Sequence, residues 1–186
     1  MVDVAQRRYS LDDYMAIELA SPVRHEFIGG AVFAMAGGTP RHNEIAANLL
    51  YAMRRALEHT PCRPMGADQR IRVSDIEYTY ADVSVYCGAI EVGASPPPDT
   101  ATNPVVLVEV LSDSTRAYDH GDKLAMYQQM PSLRSIWLVE PDTTRITVWQ
   151  REAGEWASRA YGIEDRELPL LDVGVSLADI YATTLT

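Results

Sequence analysis

Residues Val105-Val106-Leu107-Val108-Glu109-Val110-Leu111 form an apolar run interrupted by one carboxylate. The run is short and rich in β-branched residues, so it reads as a central strand buried on both faces. Glu109 is the anomaly. An ionised carboxylate away from water is costly unless a cation or hydrogen-bond donors answer it.

The segments around this strand supply the layers it needs. Ser10-Leu11-Asp12-Asp13 has the form of a capping box opening a helix through about residue 19, and Ser21-Pro22 stops it. Two apolar segments around Gly29-Gly30 read as a hairpin over residues 24–35. Thr39-Pro40 starts a helix over residues 41–59, with Ile45, Leu49, Leu50, Met53 and Leu57 on its apolar stripe, and Pro61 and Pro64 end it. Residues 68–73 alternate as a half-buried strand, 75–78 turn, and 80–86 form the next strand, with Tyr80, Asp82, Ser84 and Tyr86 on one face. The Pro96-Pro97-Pro98 stretch belongs to a stiff surface loop.

After the central strand a helix is expected to run to Met130, with Asp119, Lys123 and Tyr127 on one face. Residues 135–140, 145–150 and 155–161 read as strands, and 177–181 as a short helix. Residues 1–9 are expected to be a flexible lead-in and 10–186 a single domain, a mixed α/β sheet with helices packed on it.

Charge bears on what such a domain can bind. The 16 Lys and Arg against 26 Asp and Glu leave a net charge of −10, which argues against broad, non-specific nucleic-acid binding. A carboxylate-built metal site is itself acidic, so the balance does not exclude a nuclease. No apolar run approaches the roughly 20 residues of a membrane span, and no basic-then-apolar leader opens the chain, so a cytoplasmic protein without membrane contact is expected. Cys62 and Cys87 lack metal-type spacing and are expected to be packing residues, not a disulfide scaffold.

Asp82 and Glu109, on adjacent strands joined by a long loop, offer oxygen ligands for a hard cation such as Mg²⁺, with the Val110 backbone carbonyl as a further ligand. Lys123 would orient a water or neutralise charge in the transition state. The same residues admit a plainer reading, in which Asp82 faces solvent and Glu109 and Lys123 form a structural ion pair supported by Tyr127. Residue types and spacing leave both open.

From about Ser10 onward the chain resembles the Uma2 family of endonucleases in the PD-(D/E)XK superfamily. The resemblance lies in Arg24-His25-Glu26-Phe27-Ile28-Gly29-Gly30, Tyr80-Ala81-Asp82-Val83-Ser84-Val85 and Val108-Glu109-Val110-Leu111-Ser112-Asp113-Ser114-Thr115. It continues in Asp119-His120-Gly121-Asp122-Lys123-Leu124-Ala125-Met126-Tyr127 and Ile136-Trp137-Leu138-Val139-Glu140-Pro141. It implies a three-layer α/β/α, restriction-endonuclease-like core with a mixed central sheet, preceded by a helix and hairpin. It also implies Mg²⁺- or Mn²⁺-dependent hydrolysis of phosphodiesters, DNA foremost, with Asp82 and Glu109 as ligands and Lys123 as the active-site lysine. Two positions depart from the superfamily pattern: Ala81 replaces the proline before the aspartate, and Leu111 occupies the usual lysine position, the lysine coming instead from the following helix.

Further residues carry weaker expectations. Glu26 is either a third acidic group at the site or a structural anchor. His42, in the first turn of its helix, either reaches phosphate or the metal's waters or is an ordinary satisfied histidine. Gln69 enters only if its strand lies near Asp82. Arg70 and Arg72 share a strand face that is either a phosphate contact or a solvated edge. A catalytically silent binding or assembly module of the same fold, and a metal hydrolase of RNA or small phosphodiesters, stand as alternatives. Exposed strand edges invite a homodimer.

Overall fold

The computed structural model describes residues 8–35, 37–93 and 99–183; most of the expected lead-in and the Pro96-Pro97-Pro98 stretch lie outside the described residues. Ser10 caps α1 (Leu11–Ala20): its hydroxyl accepts from the Asp13 amide, while Asp13 accepts from the Ser10 amide. The hairpin β1 (His25–Ile28) and β2 (Ala31–Ala34) turns on Gly29 and Gly30, both at positive φ, where a side chain would be strained. Thr39 caps α2 (Pro40–Ala56), with proline in its first turn and Ile45, Leu49, Ala52 and Met53 buried.

Several features differ from expectation. Residues beyond Pro61 form β3 (Cys62–Gly66), which tolerates Pro64 because it is the edge of its sheet. The expected strand over 80–86 is two strands: after β4 (Arg70–Ser74), β5 (Glu77–Tyr80) belongs to one sheet and β6 (Val83–Cys87) to another. The break at Ala81-Asp82 removes Asp82 from both ladders. Beyond β7 (Val106–Val110), the expected helix is α3 (Arg116–Tyr118), a π-helical turn (Asp119–Lys123) and α4 (Leu124–Gln128). Finally, Cys62 and Cys87 form a disulfide, because the β3–β6 register places them directly opposite each other.

The chain continues through β8 (Ser135–Val139), β9 (Arg145–Glu152), β10 (Glu155–Gly162), an unanticipated hairpin β11 (Glu167–Leu170) and β12 (Val173–Ser176), and α5 (Leu177–Tyr181). The central sheet is six-stranded, in the order β10-β9-β8-β7-β6-β3, with β7 and β8 parallel and the other neighbours antiparallel. A four-stranded sheet, β2-β1-β5-β4, stands beside it.

Alternation along β7 assigns its two faces. Val106, Val108 and Val110 pack with Ile45, Leu49 and Met53 of α2, while Leu107 packs with Leu124 and Tyr127 of α4. Helices thus cover both faces of a mixed sheet, as the layered α/β/α expectation requires. Among the described residues no helix is long and apolar enough to cross a membrane.

Candidate active site

Glu109 shares the Leu107 face of β7 and so points toward the helical segment 116–128, not toward α2. Val83 lies opposite Val108, and one step back along the chain sets Asp82 beside Glu109. With the ladder already ended there, Asp82 Oδ2 accepts the Val110 N–H at 2.7 Å. His42, brought by the first turn of α2, places Nε2 3.3 Å from the same oxygen. Its ring lies against Gly38, where an added Cβ would stand 2.6 Å from Nδ1, so only glycine leaves room for it.

The π turn supplies the cation. Its i→i+5 hydrogen bonds widen the helix and turn both Asp119 and Lys123 inward, where both are buried. Lys123 Nζ lies 3.1 Å from Glu109 Oε1 and 3.0 Å from Glu26 Oε1, and donates to the Tyr80 main-chain oxygen at 3.3 Å. Glu109 belongs to the six-stranded sheet, and Glu26 and Tyr80 to the four-stranded one. One ammonium therefore ties the two sheets together. Tyr127 donates to Glu109 Oε1 at 2.6 Å, and the Thr79 hydroxyl donates to Glu26 Oε1.

Burial pushes the Glu109 carboxyl up to about 8; Lys123 and the Tyr127 hydrogen bond oppose this, and Asp82 and Asp119 reinforce it. Burial works against the charge on Lys123, but Glu109 and the other acidic neighbours outweigh it and hold the ammonium well above its usual range. His42 is raised by its hydrogen bond to Asp82, and Asp119 chiefly by burial.

The structure thus brings Asp82, Glu109, Lys123, Glu26 and His42 into one neighbourhood. Gln69 does not join it: its amide donates to the main-chain oxygens of Arg70 and Asp99 at 3.0 Å each. Arg70 is no open phosphate contact, because its guanidinium donates to the Tyr80 hydroxyl at 2.7 Å and lies 3.5 Å from Glu18. Arg72 is paired with Asp75. The Val110 main chain meets Asp82 through its amide, and a hydrogen bond to the Val110 backbone also helps to raise His42.

Sequence reasoning passed over Glu18, a buried acid that accepts from the His25 amide at 2.8 Å and from the Tyr80 hydroxyl. Its spacing from the buried Tyr14 and Met15 along α1 was the available signal. A second overlooked signal is that Lys123 is the only lysine in the sequence.

Among the described residues no group of three or more His, Cys, Asp or Glu is arranged to hold an ion. The donor set is two carboxylates whose closest donors fall on one oxygen of each, Oδ2 of Asp82 and Oε1 of Glu109, leaving the other oxygen for a ligand. Such a set fits Mg²⁺, which takes one or two carboxylates and keeps several waters, and does not fit a closed protein cage.

The sequence pattern of the Uma2 family, described as "Putative restriction endonuclease", matches residues 11–179. An uncharacterized protein of Synechocystis sp., slr1290, is 31% identical over 173 residues, spanning 92% of this chain and 89% of that one. A second from the same organism, sll1609, is 26% identical over 158 residues, spanning 81% and 85%. The fold is similar to the crystal structure of a "putative nuclease belonging to DUF820" from Anabaena variabilis, with a TM-score of 0.73 at 15% identity over 92% of this chain and 97% of that one.

Proposed function

Because this chain belongs to the Uma2 family, we propose that it is a divalent-metal-dependent nuclease that hydrolyses phosphodiester bonds, most readily in DNA. One observation carries the reading: Asp82, Glu109 and Lys123, far apart in sequence, converge at one end of the central sheet. Asp82 and Glu109 would hold the cation, Mg²⁺ or Mn²⁺, which when bound polarises a phosphoryl oxygen and lowers the pKa of a water. Lys123 fixes the orientation of Glu109 and sets a positive charge beside the reacting phosphate. His42 and the Val110 amide hold one oxygen of Asp82 and thereby aim the other.

Four carboxylates, Glu26, Asp82, Glu109 and Asp119, act on this neighbourhood, against one ammonium and one imidazole. That excess of negative charge suits a cation. Binding of a long duplex is less well provided for, since Arg70 and Arg72 are already paired and the chain carries −10. These features favour a single strand, RNA or a small phosphodiester as the second reading.

The test is cleavage of duplex DNA, single-stranded DNA, RNA and a small phosphodiester with Mg²⁺ or Mn²⁺, comparing wild type with Asp82→Ala and Lys123→Ala. Metal-dependent turnover lost at least a hundredfold in both variants is the expected result. Equal activity in all three proteins discards the assignment. Turnover confined to RNA or the small substrate keeps the chemistry and changes the substrate.

A further inference from the structure

The neighbourhood of Asp82 and Glu109 has little to offer the rest of a polyanionic substrate. Lys123 spends its three donors on Glu26, Glu109 and the Tyr80 carbonyl. Arg24, Arg41, Arg70, Arg72, Arg116 and Arg159 are each paired with a carboxylate. A nucleic-acid strand held at Asp82 and Glu109 therefore needs cations from elsewhere for its flanking phosphates.

Such cations stand at the far end of α2. Tyr51, Arg54 and Arg55 from its last turns and Arg63 from the edge strand β3 line a surface hollow of about 500 Å³, with Glu58 the one acid among the lining residues. Arg54 and Arg63 make no ion pair or side-chain hydrogen bond among the described residues. Arg55 lies 3.9 Å from Asp179, but both side chains are more than half exposed, so that pair holds it weakly. Its guanidinium stands over the Tyr51 ring, 5.7 Å from the centroid, and Tyr51 is itself 64% exposed. Cations in a last helical turn suit the helix dipole, which accounts for Arg54 and Arg55. It does not account for Arg63, which lies off the helix, nor for an aromatic ring left in water.

We propose that this hollow binds a single nucleic-acid strand, its phosphates against Arg54, Arg55 and Arg63 and a base stacked on Tyr51. Guanidiniums beside an exposed aromatic ring serve both the charge of the backbone and the π-face that every base carries. The proposal rests on the nuclease reading and gives the substrate of that site its flanking hold. α2 joins the two places: His42 in its first turn reaches Asp82 at 3.3 Å, and Arg54 follows about 18 Å further along the helix. Residues 45–57 include no acid. In a chain of net charge −10, the helix between the two places thus carries no carboxylate of its own to repel a phosphate backbone.

The probe is a fluorescently labelled single-stranded DNA of about 20 nucleotides, titrated at several salt concentrations with Ca²⁺ in place of Mg²⁺. Arg54→Ala/Arg63→Ala is expected to bind it about tenfold more weakly than wild type. The slope of log affinity against log salt should fall by about 1.4, the share of two phosphate contacts on a single strand. Arg54→Lys/Arg63→Lys should keep that slope, and Tyr51→Ala should weaken binding by about fivefold or more with the slope unchanged. Arg134→Ala/Arg166→Ala removes two other exposed arginines without an ion pair among the described residues, and should bind within about twofold of wild type. Wild-type affinity and slope in Arg54→Ala/Arg63→Ala would overturn the proposal. So would an equal loss in Arg134→Ala/Arg166→Ala, or no binding of the strand by wild type. Those results leave the nuclease reading to its own test, the loss of cleavage in Asp82→Ala. Cleavage indifferent to Asp82→Ala, with strand binding still dependent on Arg54 and Arg63, would remove the nuclease reading and keep the binding surface.

Discussion

Three groups around the site hold protons more tightly in the folded protein than in the unfolded chain. Glu109 is raised from 4.5 to about 8 by burial, Asp119 is raised by burial, and His42 is raised by its bond to Asp82. Stability rises with pH only where the unfolded state binds more protons, and here the folded state does. Each contribution is complete below the group's unfolded value and is lost as pH climbs through its folded one. Metal-free protein should therefore melt at progressively lower temperature from pH 5 to pH 8. A bound divalent cation does for Glu109 what its proton did, so Mg²⁺ or Mn²⁺ should flatten that decline. Thermal melts in a chelator, with and without added metal, check both; stability that rises over the same range without metal contradicts the assignment.

Among the elements, the π turn does most to make the site and was the least legible in the sequence. The spacing of Asp119, Lys123 and Tyr127 pointed to one helix face, and that much holds, since all three are buried. Side-chain periodicity does not reveal where hydrogen bonds change from i→i+4 to i→i+5, because the local composition of Asp119-His120-Gly121-Asp122-Lys123 suits either. The central strand was easier to read: seven residues, one charge and no turn former allow few alternatives, and β7 is buried throughout. Asp82 is expected inside a strand over residues 80–86 and lies instead in the break between two strands. What frees it is the break between β5 and β6, and a run of alternating aromatic and β-branched residues gives no sign of passing from one sheet to another. β3 was hidden by Pro64, which is disqualifying in a central strand and harmless at an edge. Deleting Gly121, exposed in the turn, should restore α-helical spacing and shift Lys123 relative to Asp119. The deletion variant is expected to keep its far-UV circular dichroism and lose cleavage by about a hundredfold or more. Full activity in a folded deletion would mean that the turn does not set the lysine.

Across the whole molecule, stabilisation and chemistry sit at opposite ends of the same strand. β6 begins beside Asp82 and ends at Cys87, where the disulfide to Cys62 closes a separation of 25 residues. A loop of that length contributes about 3 kcal/mol in the chain-entropy view. Reductant should accordingly lower the denaturation midpoint while leaving the cleavage rate at 25 °C unchanged; a parallel loss of both would mean that the far edge of the sheet shapes the site. The four-stranded sheet contributes in a different way. Through Glu26 and the Tyr80 carbonyl it grips the ammonium that also holds Glu109, so the centre is complete only when both sheets are seated.

With no other lysine in the chain, an acylating reagent directed at amines has a single side-chain target, and that target is locked at the seam between the sheets. Its modification requires the seam to part. The rate at which one added mass appears on the peptide bearing Lys123 is therefore a clock for that opening, readable by mass spectrometry without an engineered label.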